Sequence, residues 1–333
     1  MIQDTPTNMS TYCVGVDLGG TFIKFILLDS AMTAGKVMQL PTPPTGGGEA
    51  VAGRIVEGVR QLMDAQGLTS AEVVGVGIGS PGPLKISEGI VIATPNVAGM
   101  ENVPLRDMVA DATGLPAILE NDANAAGYGE YICGAGRGSG DMVLLTLGTG
   151  VGGGVIIDGK VLHGSHEMGA ELGHMIVQPG GEKCGCGQYG CLERYSAAAA
   201  IARYAAELIR GGRQSSMKKT LDANGALDSK DVHEALLAGD AVAAEVWDRG
   251  AYYLGLACVS LCRIFDPGEI VLSGGLAKAG EDFRAPVEAY MHKFHWPITE
   301  VKTRLTVATL GNDAGAIGAA GLAWQTLGNR AGA

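Results

Sequence analysis

The feature that most constrains this chain is a pattern written twice. The apolar run Val14-Gly15-Val16-Asp17-Leu18 breaks at Gly19-Gly20-Thr21 and resumes as Phe22 to Asp29. Far downstream, Met142 to Leu147 breaks at Gly148-Thr149-Gly150, passes Gly152-Gly153-Gly154 and resumes as Val155-Ile156-Ile157-Asp158. Leu18-Gly19 stands as far ahead of Asp29 as Leu147-Gly148 stands ahead of Asp158. β-rich apolar segments on either side of a glycine turn read as hairpins. Two with matched spacing point to a duplicated fold, one copy per domain; two unrelated glycine hairpins are the plainer alternative.

The length, 333 residues, suits two domains at ~100–200 residues each, and a hydrophobic fraction of 47% supplies their cores. Val51 to Ala65 has helical periodicity, with Val51, Ile55, Val56, Val59, Leu62 and Met63 on one side. Val73 to Ile78 reads as a buried strand ending in Gly79-Ser80-Pro81-Gly82-Pro83. Leu105 to Thr113 reads as a helix stopped by Gly114, and Pro116 to Leu119 as a strand running into Glu120-Asn121-Asp122. Leu192 to Ile209 and Ala241 to Ile264 read as helices, with a polar, irregular segment at 211–231 between them. Glu269 to Leu272 is a strand entering Ser273-Gly274-Gly275, and Gly311-Asn312-Asp313-Ala314-Gly315 precedes a small-residue helix to about Trp324. Strands alternating with helices, with glycine turns at strand ends, indicate an α/β architecture.

The 53 glycines gather in short clusters, as where backbone approaches a ligand. A net charge of −11 argues against nucleic acid as a partner, because that role needs a basic face. It leaves room for a small phosphate ligand held by backbone N–H groups and helix N-termini. The polar start, Met1 to Thr11, is unlike a signal peptide. Apolar runs stop well short of the ~20 residues of a membrane helix, so a soluble, cytoplasmic protein is expected. Cys13, Cys133, Cys258 and Cys262 sit among apolar residues and read as buried thiols.

The turns at 19–20, 148–154 and 274–275 each end an apolar strand. Glycine lets backbone N–H groups reach phosphate oxygens, and a threonine hydroxyl adds a donor. Neither the Walker loop nor the dinucleotide fingerprint occurs in the chain.

Together these residues resemble the sugar kinase and actin superfamily. Asp17-Leu18-Gly19-Gly20-Thr21 looks like its first phosphate motif, Leu147-Gly148-Thr149-Gly150 its second, and Leu272-Ser273-Gly274-Gly275 its adenosine motif. Within that superfamily the chain resembles the ROK family of repressors and sugar kinases, from about Tyr12 to Trp324, and most of all its glucose-phosphorylating members. The resemblance is carried by Gly79 to Pro83, Thr94-Pro95-Asn96, Glu120 to Ala125, Glu171-Leu172-Gly173-His174 and a cysteine cluster.

The resemblance implies two related α/β domains of the actin-like ATPase (ribonuclease H-like) type flanking a substrate cleft. Residues 1–11 would be a flexible tail. Residues 12–120 would form a smaller N-terminal domain completed by the C-terminal helix at about 313–330, and 121–312 a larger domain with a zinc loop at 174–191. The implied activity is ATP-dependent phosphorylation of glucose at its 6-hydroxyl, a glycolytic step, with closure of the cleft on sugar binding. N-acetylglucosamine, N-acetylmannosamine and fructose are alternative substrates, because relatives use nearly the same residues for them. ATP and Mg²⁺ would be held at Asp17, Gly19, Gly20, Thr21, Gly148, Thr149, Gly150, Gly274 and Gly275. The sugar would be held by Ser80, Gly82, Asn96, Asn121, Asp122, Glu171, His174 and Glu193. For Glu171 and Glu193 a surface charge is the alternative.

Phosphoryl transfer needs a base for the attacking hydroxyl, in-line positioning and charge neutralisation. Asp122, flanked by Asn121 and Asn124, suits the base. Residue type alone equally allows a helix cap near Ala123; the resemblance implies the base. Asp17 suits water-mediated Mg²⁺ binding, or else stabilises its turn. Lys24 reads equally as strand surface or phosphate contact.

His174, Cys184, Cys186 and Cys191 are spaced His-x9-Cys-x-Cys-x4-Cys. Three thiols and an imidazole form a common structural Zn²⁺ set with no position left for substrate. Accidental neighbours in a reducing compartment are the alternative. The other histidines, 163, 166, 233, 292 and 295, lack such company.

Some members of the family are sugar-binding transcription regulators with a DNA-binding module ahead of the first glycine turn. Only 16 residues precede Asp17 here, and the charge is acidic, so a kinase is expected. A polyphosphate donor would want a basic track, and 24 basic against 35 acidic residues give little sign of one. The expected partners are a hexose, ATP and further copies of the chain, as a homodimer or homotetramer, with neither nucleic acid nor membrane.

Overall fold

Strand β1 (Tyr12–Leu18) is buried over Cys13 to Val16 and again at Leu18, so it needs cover on both faces. The computed structural model of the protein describes residues 11–94, 97 and 99–328. The expected tail apart from Thr11, the sugar-site candidate Asn96, and the end of the C-terminal helix at 329–330 lie outside the described residues. β1 pairs antiparallel with β2 (Phe22–Asp29), which places Asp17 opposite Lys24, and β2 pairs antiparallel with β3 (Met38–Pro41). On its other edge β1 runs parallel to β4 (Val73–Ser80), which runs parallel to β7 (Ala117–Asn121). The first sheet is therefore five-stranded, in the order β3-β2-β1-β4-β7. A small hairpin of β5 (Leu84–Lys85) and β6 (Ile90–Val91) follows β4.

The second sheet repeats this plan. β8 (Met142–Leu147) pairs antiparallel with β9 (Val151–Ile157), which pairs antiparallel with β10 (Lys160–Val161). β8 runs parallel to β11 (Glu269–Ser273), and β11 to β12 (Arg304–Val307), giving the order β10-β9-β8-β11-β12. The two glycine hairpins thus open two sheets of one topology, as the matched spacing implied.

Helices α1 (Gly47–Ala65) and α2 (Leu105–Thr113) cover one face of the first sheet; Gly114 ends α2 with φ 71°. The other face carries α3 (Asp122–Cys133) and α10 (Ala314–Leu327). This packing is close because the facing residues are small. A Cβ on Gly15 would lie 1.9 Å from the Ala316 carbonyl oxygen, one on Gly77 1.9 Å from that of Ala319, and one on Gly318 1.6 Å from that of Ala125.

In the second unit α4 (Glu193–Ser196), α5 (Ala198–Arg210), α7 (Ser229–Leu237) and α9 (Glu281–Phe294) pack on the long α8 (Ala241–Phe265), whose apolar face is buried, and the short α6 (Lys218–Asn224) joins α5 to α7.

Several expectations change. The boundary expected at residue 120 falls at 137. The first described unit runs to Arg137, takes in Gly164–Glu167 and resumes at Asn312, while the second comprises Gly138–His163 and Met168–Gly311. The cause is α3: its small residues Ala125 and Gly129 lie on α10, so Asp122 belongs to the first unit. Segment 211–231 holds a helix and the start of another rather than irregular chain. Gly225 in the left-handed region closes α6, and a capping box between Asp228 and Asp231 opens α7. The single helix expected over Leu192 to Ile209 is broken where Ala197 is extended. Cys133 is half-buried rather than buried.

Candidate active site

In the first unit β7 delivers Glu120, Asn121 and Asp122 to the start of α3. Asn121 is the N-cap: its Oδ1 accepts from the N–H groups of Ala123 (2.9 Å) and Asn124 (3.2 Å). Buried Glu120 accepts from the Asn121 N–H and the Asn124 Nδ2, each at 2.9 Å. The capping duty weighed for Asp122 thus falls mainly to Asn121, although Asp122 Oδ1 also accepts from the Ala123 N–H at 2.8 Å. Burial holds the Asp122 carboxyl above the usual carboxylate range, partly offset by its hydrogen bonds to backbone N–H groups. Ser80 pairs with Asn121 in the β4–β7 ladder, is fully buried and donates to the Pro81 carbonyl. A Cβ on Gly82 would lie 3.7 Å from Asn121 Nδ2, so Ser80, Gly82, Asn121 and Asp122 form one neighbourhood.

Asp17 pairs with Gly79 in the β1–β4 ladder, next to Ser80. Lys24, across the β1–β2 pair, brings its Nζ to 3.9 Å from Asp17 Oδ2 and donates to the Asn312 carbonyl. Burial raises the Asp17 pKa to about 6 against the pull of Lys24, and the charges of Asp122 and Asp313 raise it further. Gly315 leaves room for this carboxylate, since a Cβ there would lie 3.0 Å from Asp17 Cγ. Gly20 and Thr21 are exposed, and the turn is tied down by Thr42, whose hydroxyl donates to the Gly19 carbonyl at 2.7 Å.

In the second unit the turn Gly148-Thr149-Gly150 closes on itself, the Gly148 N–H donating to the Gly150 carbonyl at 3.0 Å. Glu193, first residue of α4, reaches this turn and accepts from the Val151 N–H at 3.1 Å. A Cβ on Gly150 would lie 2.2 Å from Glu193 Oε2, so a larger residue there would push the Glu193 carboxylate off the turn. Gly274, with φ 89°, lies against the Leu147 backbone, and both it and Gly275 are exposed. Beside the second turn lies a cavity of about 430 Å³. Gly148, Thr149, the alanine face of α5, Arg203, Arg210 and residues 226–229 line it. Its size is that of a small-molecule site.

His174, Cys184, Cys186 and Cys191 bring their ligand atoms within 4.8 Å of one another. Cys186 Sγ lies 3.7 Å from Cys191 Sγ, and Cys184 Sγ 3.8 Å from His174 Nδ1. A tetrahedral ion with Zn–S bonds of about 2.3 Å spaces its sulfurs about 3.8 Å apart, so the four residues fit a metal ion. His174 faces the cluster through Nδ1. Glu193 Oε1 is 3.6 Å from Cys184 Sγ, which ties the cluster to the second turn. Glu171, just ahead of His174, is exposed.

Sequence reasoning missed three parts of these sites. Asp313 was visible as the second Asn-Asp-Ala of the chain, since 312–314 repeats 121–123 at a helix start. Thr42 stands among prolines at 41–44, where nothing in the sequence signals a tie to Gly19. Arg203 and residues 226–229 carried no signal, because only packing turns them toward one cavity.

Residues 13–326 match the sequence profile of the ROK family. The chain is 39% identical over 313 residues to a protein named glucokinase from Halalkalibacterium halodurans, covering 94% of each. A ROK hexokinase structure from Thermus thermophilus is similar at 34% identity and TM-score 0.82, over 96% of this chain and all of the other. The structure of a ROK family glucokinase from Streptomyces griseus, in complex with glucose and AMPPNP, is similar at 34% identity and TM-score 0.75, over 94% of this chain and 99% of the other.

Proposed function

Because the chain belongs to the ROK family, we propose that it is an ATP-dependent hexose kinase that phosphorylates glucose. The fold is that of the actin-like ATPases. The observation that carries the chemistry is Asp122, a carboxylate held at a strand end with a raised proton affinity. In our reading it takes the proton of the glucose 6-hydroxyl as that oxygen attacks the γ-phosphorus and the bond to the β-phosphate oxygen of ADP breaks.

The turns Gly19-Gly20-Thr21 and Gly148-Thr149-Gly150 are assigned to the phosphates, and Gly274 and Gly275 to the adenosine. Asp17 is the carboxylate suited to Mg²⁺, through water, and Mg²⁺ when bound neutralises phosphate charge. Ser80, Gly82, Asn96, Asn121, Glu171, His174 and Glu193 are assigned to the sugar. Carboxylates and amides there reject analogues that lack a hydroxyl, by up to ~10⁴-fold or more.

His174, Cys184, Cys186 and Cys191 are assigned to a structural Zn²⁺, which would order the loop that presents Glu171 and Glu193. No described helix is long and apolar enough to cross a membrane. Thiolate ligands suit a reducing compartment, and we assign the protein to the cytoplasm.

ADP release with Mg²⁺-ATP, measured across glucose, N-acetylglucosamine, N-acetylmannosamine and fructose, tests the reading. Turnover on glucose that Asp122→Asn abolishes is expected. Turnover only on an acetylated sugar moves the substrate, and none on any sugar in zinc-replete protein overturns the proposal.

A further inference from the structure

In the second unit one carboxylate gathers three arginines. Glu182 lies in the metal loop, ahead of Cys184, between the bridges that pair Ile176 with Cys191 and Lys183 with Tyr189. Its Oε1 accepts from Arg249 of α8 at 2.7 Å. Its Oε2 accepts from Arg194 of α4 at 3.4 Å and from Arg203 of α5. The Glu182 N–H donates to the Tyr195 hydroxyl at 2.8 Å, so backbone and side chain are both fixed. The guanidinium of Arg249 stacks 4.0 Å from the Tyr204 ring centre, closing the cluster from behind. These side chains are between 22% and 30% exposed, where charges interact more strongly than at an open surface. Nε of Arg194 and Nε of Arg203 are buried without a hydrogen-bond partner among the described residues, so the two guanidinium groups depend on the acceptors that remain. For Arg203 these are Glu182, Glu207 at 2.6 Å and the Arg194 carbonyl at 3.1 Å.

Arg203 also lines the cavity beside Gly148 and Thr149, where most of its α5 neighbours are alanines. A single side chain therefore touches the anchor of the metal loop on one side and the cavity on the other. We propose that Glu182 is a positioning residue for the nucleotide: it holds Arg203 in the cavity wall, and the ordered metal loop thereby strengthens nucleotide binding. The proposal rests on the reading that this cavity takes ATP. Without Glu182, Arg203 keeps only Glu207 and the Arg194 carbonyl, regains rotamer freedom beside the cavity and has to be re-ordered each time a nucleotide enters.

The test is calorimetric titration of ADP into zinc-loaded wild type, Glu182→Gln, Glu182→Asp and Arg203→Gln, with zinc content measured in each. Couplings between sites run to about 5–150-fold, and a loss of about tenfold in ADP affinity is expected for Glu182→Gln with its zinc retained. KM for ATP should rise by the same factor while kcat and KM for glucose hold, and Glu182→Asp should recover part of the loss. Linkage is reciprocal, so ADP should tighten zinc binding by wild type against a chromophoric chelator, and should not do so in Glu182→Gln or Arg203→Gln. ADP affinity unchanged in the variants, or zinc affinity in wild type indifferent to ADP, would overturn the proposal. Wild type that binds no ADP would instead sink the reading on which it rests. The wild-type linkage decides the matter even where a variant fails to fold.

Discussion

In the first unit β1 ends with Asp17 ahead of Leu18-Gly19, whereas in the second unit β8 has Thr146 ahead of Leu147-Gly148. Asp17 lies against Gly315 at the start of α10, with Lys24 across the strand pair. Thr146 turns its hydroxyl inward and accepts from the Gly152 N–H at 3.1 Å, so it stiffens its own hairpin. One topology thus carries a charged turn in one copy and a neutral turn in the other. The units differ in their buttresses as well. The first backs its turn with two helices of small residues, α3 and α10, each led by Asn-Asp-Ala, while the second backs its turn with Glu193 and the metal loop. Duplication supplied the scaffold, and the chemistry diverged at the strand ends.

The most severe way to break the comparison is to remove the carboxylate proposed as the base. Asp122→Asn should lower kcat by ~10²–10⁴-fold, the usual worth of a general base. The raised proton affinity of Asp122 has two signed consequences. The base works ionised, so kcat should fall as pH falls, with its inflection above the ordinary carboxylate range. Its contribution to stability is fully present below the unfolded pKa and is lost as pH rises through the higher folded pKa. Above the folded pKa, where the ionised carboxylate stays buried, Asp122→Asn should therefore melt at a higher temperature than wild type, and the difference should shrink as pH falls, which scanning calorimetry across pH checks.

Next in size, Asp17→Asn should raise the Mg²⁺ concentration for half-maximal rate by ~10–100-fold. Thr146→Val should leave that concentration unchanged; equal effects at the two positions would dissolve the distinction between the turns. Cys191→Ser should abolish stoichiometric zinc, read by elemental analysis, and lower the melting temperature by ~2–4 °C for each kcal/mol lost. Smallest is a pair of glycines in the first unit. Gly318→Ala presses α10 into α3 and should cost ~1–3 kcal/mol or more. Gly53→Ala, in a helix where a Cβ meets nothing within 4 Å, should gain up to ~1 kcal/mol in denaturant titrations.

Much of this was legible in the chain. The hairpins, the strands read at 73–78, 116–119 and 269–272, each within two residues of its observed bounds, and the helix stop at Gly114 all announced themselves through short-range rules of periodicity and turn chemistry. The cluster of His174, Cys184, Cys186 and Cys191 was legible for the same reason, because the three cysteines are close in sequence and His174 is not far.

What failed was whatever depended on partners distant in sequence. The boundary moved from 120 to 137 because α3 packs on a helix nearly two hundred residues later, and no local pattern reports that contact. Segment 211–231 looked irregular because α6 and the start of α7 are short and polar, held by caps and packing rather than by an apolar stripe. The sequence by itself determined the strands, the glycine turns and the clustering of His174, Cys184, Cys186 and Cys191, since each is encoded in residues near one another. Only the tertiary structure decided that Asp313 joins Asp17 and Asp122, that Thr42 ties the first turn, and that Glu182 joins the metal loop to the cavity wall through Arg203. Those pairings arise from close packing of distant segments, where which atoms meet depends on the whole fold.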